Sequence, residues 1–381
     1  MGILNKMQLI PYAALARQER SLLGQAWDLL RCRYGPGKLG AAEYYKFGLY
    51  HRDLSARDRR RFAGWRLEGE LDRRLNPASW LGVTTDKLNQ YAIFRGLGIP
   101  TPRMLAVYHP GGRHFGEVPV FSDSKGLGDY LRDGISYPFF AKPGHGSFGR
   151  GTFAAHAYDP RGEAIESLTG EKVPLAEFIA ACHPREGVFP WHAGYLFQEY
   201  VAPHPSLVAL GGPRLSSVRL IVLQGDRGPR LFRAVLKVAT GDNVADNFEH
   251  GSKGNLLGQL DPETGELLRV VGGTGPQLRE VERHPDTGRA FRGFRIPQWG
   301  RFLDLCLSGA TAFPALRLQH WDIAIGADGP VVLEVNIGGD LDLPQLASGE
   351  GVLGPELAAF VGELSQTYPQ IPKLGSLGAT G

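Results

Sequence analysis

A chain of 381 residues is too long for one ordinary compact domain, and its 43% hydrophobic and 21% charged residues are the balance of a soluble globular protein. A formal net charge of +3 is too small to demand a nucleic-acid partner, and no apolar run is long enough to span a bilayer, so neither nucleic acid nor a membrane is expected as a partner. Three scattered cysteines, Cys32, Cys182 and Cys306, speak against a disulfide framework or a paired-cysteine zinc site and fit a reducing cytoplasm.

The first eighty residues read as helical. Leu22, Leu23, Trp27, Leu29 and Leu30 recur at helical spacing until Tyr34-Gly35-Pro36-Gly37 breaks the pattern. Lys6, Arg17, Glu19, Arg20 and Asp28 interrupt this stretch, so it lacks the apolar core of a secretion signal. A second helix is predicted over 41–50 and a third over about 55–75, opened by Ser55 with Asp58 and closed by Asn76-Pro77. The run Arg57-Asp58-Arg59-Arg60-Arg61 could suggest nucleic acid, but Asp53, Asp58, Glu68, Glu70 and Asp72 are interleaved around it. A solvated helix face explains it better.

Then the texture changes. Thr84 or Thr85 can cap a helix through Leu97, and Gly98 is placed to end it. An extended run follows at 104–108. Further apolar extended runs lie at 139–142, 152–157, 195–201, 218–224, 231–239, 255–260, 323–325 and 331–335, with helices predicted over 175–182, 299–313 and 355–364. Gly225-Asp226-Arg227-Gly228, the segment from Asp261 to Gly265, and Ala327-Asp328-Gly329 are turns of antiparallel hairpins. Hairpins mixed with helices predict an α+β fold.

Four constellations bear chemistry. Lys142 ends a strand before the glycine-rich stretch Pro143 to Gly151, where a cation and side-chain-free backbone can meet phosphate oxygens. An ordinary glycine-rich hairpin explains it equally well. Gln198-Glu199-Tyr200-Val201 ends an apolar strand and could hold an adenine and ribose, although most such strands are simply core. Asp322 lies in one apolar strand, with Glu334 and Asn336 two apart on its hairpin partner, so Glu334 and Asn336 share a face and Asp322 can lie beside them. Two carboxylates and an amide oxygen suit magnesium held with phosphates, the plainer alternative being a structural pair of exposed hairpin acids. Arg219, with Arg233 and Lys237 on the next strand and Asp246-Asn247 after it, needs an anion, either a substrate group or a structural acid.

The order Asp86-Lys87, Lys142 with its glycines, Gln198-Glu199, then Asp322 and Glu334-Val335-Asn336 resembles the ATP-grasp superfamily. Glu43-Tyr44-Tyr45, Asp246-Asn247, Ile296-Pro297-Gln298-Trp299 and the stretch from Leu341 to Gln345 resemble its sugar-transfer-associated branch, akin to the carboxylate–amine ligases. The resemblance covers about residues 40 to 350. It implies an ATP-grasp fold whose two lobes close on a nucleotide, preceded by a helical N-terminal region. The boundaries expected are a helical region over 1–80, an ATP-grasp domain over 81–365 and a tail over 366–381. Within the domain, a smaller lid lobe would span about 103–200 and a catalytic lobe 201–350. It implies nucleotide contacts from Lys87, Lys142, Gly146, Ser147, Gly149, Gln198, Glu199, Tyr200 and Val201. Asp322, Glu334 and Asn336 would hold magnesium, as two ions, and Arg219, Lys237 and Asn247 would be catalytic. ATP and magnesium are the expected cofactors.

The function implied is a carboxylate–amine ligase working through an acyl phosphate, with small-molecule carboxylate and amine substrates; a homodimer is compatible with it. A kinase acting on a hydroxyl is the alternative, and a non-catalytic nucleotide-binding module stands behind both. Two departures mark this chain. Asn336-Ile337-Gly338-Gly339-Asp340 replaces the common Asn-x-x-Pro-Gly ending, and the first eighty residues do not read as the parallel α/β domain many ATP-grasp enzymes carry.

Overall fold

Two sheets organise the α+β fold of this computed structural model, which describes residues 6–146, 149–184, 191–368 and 371. The first contains β1 (Met104–Tyr108), β2 (Val120–Phe121), β3 (Phe139–Pro143), β4 (Phe153–Asp159), β5 (Ala164–Ser167), β6 (Lys172–Pro174) and β7 (Tyr195–Glu199), in the order β2-β1-β7-β3-β4-β5-β6. Only the β1–β2 contact is parallel. Phe139, Ala141 and Phe197 face helices Ser124–Asp133 and Leu175–Ala181, burying Leu127, Leu131, Phe178 and Ile179 against them. On the other face Met104, Val107 and Leu196 pack on Leu88 and Tyr91 of the helix Lys87–Gly96.

The second sheet is wholly antiparallel: β8 (Ser217–Gly225), β9 (Gly228–Val238), β10 (Leu256–Leu260), β11 (Leu267–Gly272), β12 (Arg279–Glu280), β13 (Leu318–Gly326) and β14 (Gly329–Asn336), ordered β12-β11-β10-β9-β8-β13-β14. Its strands show the period-2 pattern of a sheet covered on both sides. On β8, Val218, Leu220 and Val222 join Trp321, Ile323 and Val335 over the helix Trp299–Ala310. The alternate residues Ile221 and Leu223 face the helices Trp65–Leu75 and Pro355–Thr367. Arg219 falls on that second face, at the end of the run.

The helix Lys87–Gly96 ties the two sheets together. Leu88 and Tyr91 belong to the core of the first sheet and Phe94 to that of the second, while the Val335 amide donates to buried Gln90 Oε1 at 2.9 Å. Its first turn is capped by Asp86, one residue beyond the predicted cap, whose carboxylate accepts from the Leu88 amide at 2.9 Å. The three predicted hairpin turns each join neighbouring strands of the second sheet.

The N-terminal region is helical, yet it differs from the sequence expectation in three places. The helix predicted over 41–50 spans only Ala41–Lys46, because the chain turns at Gly48 with φ +63°. The helix predicted over 55–75 is two helices, Ala56–Arg60 and Trp65–Leu75. Tertiary partners take the intervening backbone: Gln345 Oε1 accepts from the Ala63 amide at 2.7 Å, and Glu43 Oε1 accepts from the Trp65 amide at 2.5 Å. The helix Leu22–Tyr34 is turned inside out. Gln25, Asp28 and Cys32 are buried, while Leu22, Leu23, Trp27 and Leu30 are exposed. Polar anchors set this orientation. Asp28 receives two hydrogen bonds from Arg20 at 2.9 and 3.1 Å, and Gln25 Oε1 accepts from the Tyr45 hydroxyl at 2.9 Å.

Gln345 holds the N-terminal region to the helix Asp342–Ser348, since its Nε2 also donates to the Ala63 carbonyl at 3.0 Å. Gln345→Met keeps the volume but leaves a buried N–H and C=O unpaired. We expect it to lower stability by about 2–4 kcal/mol, measured by urea denaturation.

Candidate active site

Lys142 stands at the end of β3, two residues after Phe140 and on the same face of the strand. Gly144 follows because nothing larger fits: a Cβ there would lie 2.1 Å from the Ala193 carbonyl oxygen. The glycine-rich segment continues to Gly149, at φ +65°, where an added Cβ would approach the Asn247 side-chain nitrogen to 2.8 Å. Ser147 lies outside the described residues. Lys87 reaches the same segment, donating from Nζ to the Gly146 carbonyl at 2.8 Å while lying 3.4 Å from Glu334. Its backbone amide donates to the Gly144 carbonyl at 2.9 Å.

Asp322 and Glu334 face each other across β13 and β14, and Asp322 also faces Arg219 across β13 and β8. Arg219 binds Asp322 through two hydrogen bonds, at 2.9 and 2.6 Å, and Lys237 lies 3.1 Å away on its other side. Burial alone would raise the Asp322 carboxyl; Arg219 and Lys237 overcome it and hold the group well below the usual carboxylate range. Glu334 is likewise held low against its burial by Lys87, and accepts a 2.9 Å hydrogen bond from Asn336. Burial pushes Lys142 down to about 8, against the upward pull of Glu334.

A cleft of about 460 Å³ runs between these groups. Of the residues expected at a nucleotide site, Lys87, Lys142, Gly146, Gly149, Gln198, Glu199, Tyr200 and Val201 line it, together with Lys237, Asn247, Asp322 and Glu334. Arg219 and Asn336 do not line it and reach it through Asp322 and Glu334. The Glu199 carboxylate turns aside to the Arg103 amide at 2.8 Å, and Gln198 donates to the Pro102 carbonyl at 3.3 Å. The cleft is also lined by Phe140, Ala154, Val201, Leu215 and Leu333, so it joins apolar walls to cationic groups.

The model of the sugar-transfer associated ATP-grasp family matches residues 66–360. The chain belongs to this family. The match spans the strands that carry Lys142, Asp322 and Glu334 and begins within the helix Trp65–Leu75. No curated protein matches the chain's sequence. Among solved structures it is similar to N5-carboxyaminoimidazole ribonucleotide synthetase from Thermotoga maritima, at 10% identity and TM-score 0.35, over 69% of this chain and 44% of that one. The biotin carboxylase domain of 2-oxoglutarate carboxylase from Hydrogenobacter thermophilus aligns at 12% identity and TM-score 0.38, over 75% and 51%. D-alanine–D-alanine ligase from Bacillus anthracis aligns at 15% identity and TM-score 0.37, over 74% and 69%. The chain thus spans about half the length of the first two structures.

Three features of this ATP-grasp chain go beyond its sequence: the roles of Asn255 and Glu68, which it did not suggest, and the partners of Asp246, which it placed after the basic strands without assigning. Fully buried Asn255 organises the cleft wall at 240–247: its Oδ1 accepts from the Thr240 amide at 3.0 Å, and its Nδ2 donates to the Ala245 and Asn247 carbonyls at 2.8 and 2.9 Å. Asp246, in the same segment, accepts from both the amide and hydroxyl of Ser217 at 2.6 Å and lies 3.6 Å from Lys237. The third is a carboxylate group where the chain departs from the usual ending: Glu68, Asp340 and Asp342 converge within 4.8 Å. Glu68 also accepts from the Leu341 amide at 3.1 Å, and Lys46 pairs with Asp342. Asn255 had a faint signal, a polar residue between Gly254 and the strand that begins at Leu256. Glu68 had none, because it sat among charges that read as a solvated face.

The two facing acids differ in their surroundings, and substitution should separate them. Asp322→Asn leaves Arg219 and Lys237 buried around a neutral group, so stability should fall by about 3–5 kcal/mol. Glu334→Gln loses a single half-buried pairing with Lys87 at 3.4 Å and should cost less than Asp322→Asn. Chemical denaturation of both variants without ligands measures the difference.

Proposed function

We propose that this cleft binds Mg-ATP and transfers its terminal phosphoryl group to a small-molecule carboxylate, which an amine then converts to an amide. The observation that carries this reading is the convergence of Lys87 and Lys142 with Asp322 and Glu334 in one cleft between two sheets. Lys87 and Lys142 would hold phosphate oxygens, with the backbone at Gly146 and Gly149 beside them on the cleft wall. The apolar walls and the backbone at Tyr200–Val201 would take the adenine. Asn247, on the cleft wall below Gly149, would contact the transferred group or its acceptor.

The donor set suits magnesium. Glu334 lines the cleft and would be a magnesium ligand, while Asn336, on the same face of β14 but outside the lining, donates to Glu334 and would orient it. Asp322 would be the second oxygen ligand, already countered by Arg219 and Lys237. Magnesium bound there would spread charge from the phosphates during transfer. Lys237 lines the cleft beside Asp322, within reach of a developing acyl phosphate, whereas Arg219 would act by fixing Asp322. Catalysis would then be positioning and electrostatics, with no protein nucleophile.

Two measurements test this. Lys142 titrates near 8 in the free protein, and bound phosphates would restore its charge. Between pH 8 and 10 the free protein has lost a proton that the complex keeps, so binding takes up to one proton and affinity falls as pH rises. Calorimetry of ATP in buffers of different ionisation enthalpy should show this uptake in the wild type and not in Lys142→Met. Uptake unchanged in the variant would remove Lys142 from the phosphates.

A screen of amino acids and amino sugars as paired carboxylates and amines should give ADP and free phosphate only when both are present. Phosphate retained on a hydroxyl product would instead make the protein a kinase. No ADP release, with no rise in melting temperature at saturating Mg-ATP, would defeat the reading.

A further inference from the structure

Residues 6–38 hold six basic residues against two acids, whereas the whole chain has a net charge of only +3. Within them the helix Leu22–Tyr34 presents Leu23, Trp27, Leu30 and Tyr34 to the outside, 85%, 54%, 53% and 84% exposed. Their spacing is i, i+4, i+7 and i+11, one continuous stripe along three turns. Single exposed apolar residues are ordinary on a protein surface; four large ones in one row are not. Beside the stripe Ile10 and Leu15 of the preceding helix Lys6–Ala16 are also exposed, at 72% and 50%.

The stripe has a basic border. Arg33 and Arg31, both exposed, stand on its two flanks, and Arg31 lies over the Trp27 ring at 4.8 Å from its centre. The one acid of the helix, Asp28, points inward and is paired with Arg20. The polar contacts of Gln25 and Asp28 fix the helix so that rotation cannot hide the stripe. No helix among the described residues is long and apolar enough to cross a membrane.

We infer that the helix Leu22–Tyr34 docks the protein on an anionic lipid surface, lying in the plane of the headgroups. The apolar row enters the interface and the arginines meet lipid phosphates on either side, which is the arrangement of an interfacial helix. Charge selects this occupant over a second copy of the chain. Two stripes packed together would bring the arginine borders into mutual repulsion, whereas an anionic surface neutralises both. Trp27 and Tyr34 suit the headgroup level, each having an apolar ring and a polar edge.

The test is sedimentation of the full chain with vesicles of phosphatidylcholine, with and without phosphatidylglycerol. The protein should sediment with the anionic vesicles and be released by raised salt. Leu23→Glu with Trp27→Glu should abolish binding. Arg31→Glu with Arg33→Glu should weaken it at least about tenfold. These side chains are exposed, so both double variants should keep the wild-type melting temperature, which checks that loss of binding is not loss of fold. Three results would overturn the inference: no sedimentation of the wild type, equal binding to neutral vesicles, or unchanged binding by folded variants. A dimer in the absence of vesicles that Leu23→Glu with Trp27→Glu dissolves would overturn it too, assigning the stripe to self-association.

Discussion

A carboxylate sealed inside a sheet must be neutralised where it stands, and Asp322 sets that demand at the centre of this protein. Its partners come from the two strands next in order, Arg219 from β8 and Lys237 from β9. Desolvating such an ion costs several kcal/mol, which only near-ideal geometry offsets. The demand propagates. Lys237 also lies near Asp246, Asp246 takes the amide and hydroxyl of Ser217, and the segment carrying Asp246 becomes a wall of the cleft. One buried charge therefore fixes the alignment of three strands and the placement of a loop.

Among the described residues, specific contacts join the two sheets. The helix Lys87–Gly96 buries side chains in both, and its first residue touches the glycine-rich segment on one side and Glu334 on the other. After β7 the chain passes to the second sheet, where the His204 amide donates to the Ile325 carbonyl at 2.9 Å and the Ala327 amide to the Ala202 carbonyl at 2.8 Å. Tyr200 and Val201 lie at that crossing, so whatever occupies the cleft touches the connection between the sheets.

Much of this was legible in the sequence, for identifiable reasons. The hairpins of the second sheet announced themselves through their turns, and Glu334 with Asn336 through their period of two. Lys142 was visible because a cation ends an apolar run before glycines. The sequence was less informative wherever tertiary hydrogen bonds outweigh local pattern. Gln345 and Glu43 take backbone amides around Gly64 and divide what reads as one helix. Gln25 and Asp28 turn the helix Leu22–Tyr34 polar side inward, against the usual meaning of its leucine spacing. Arg219 needed an anion by its placement alone, but whether that anion was a ligand or Asp322 depended on strand order, which spacing does not encode.

The segment after β14 is held by residues far away along the chain. The helix Trp65–Leu75 offers Glu68 to the Leu341 amide and places Asp72 against Gly338, while Lys46 pairs with Asp342 and Gln345 with Ala63. Each contact joins a residue before position 80 to one after 336. Genetic exchange between relatives should thereby be restricted. A crossover anywhere between those positions would unite an early half and a late half that had never been matched to each other, so the two ends of the chain should be inherited together.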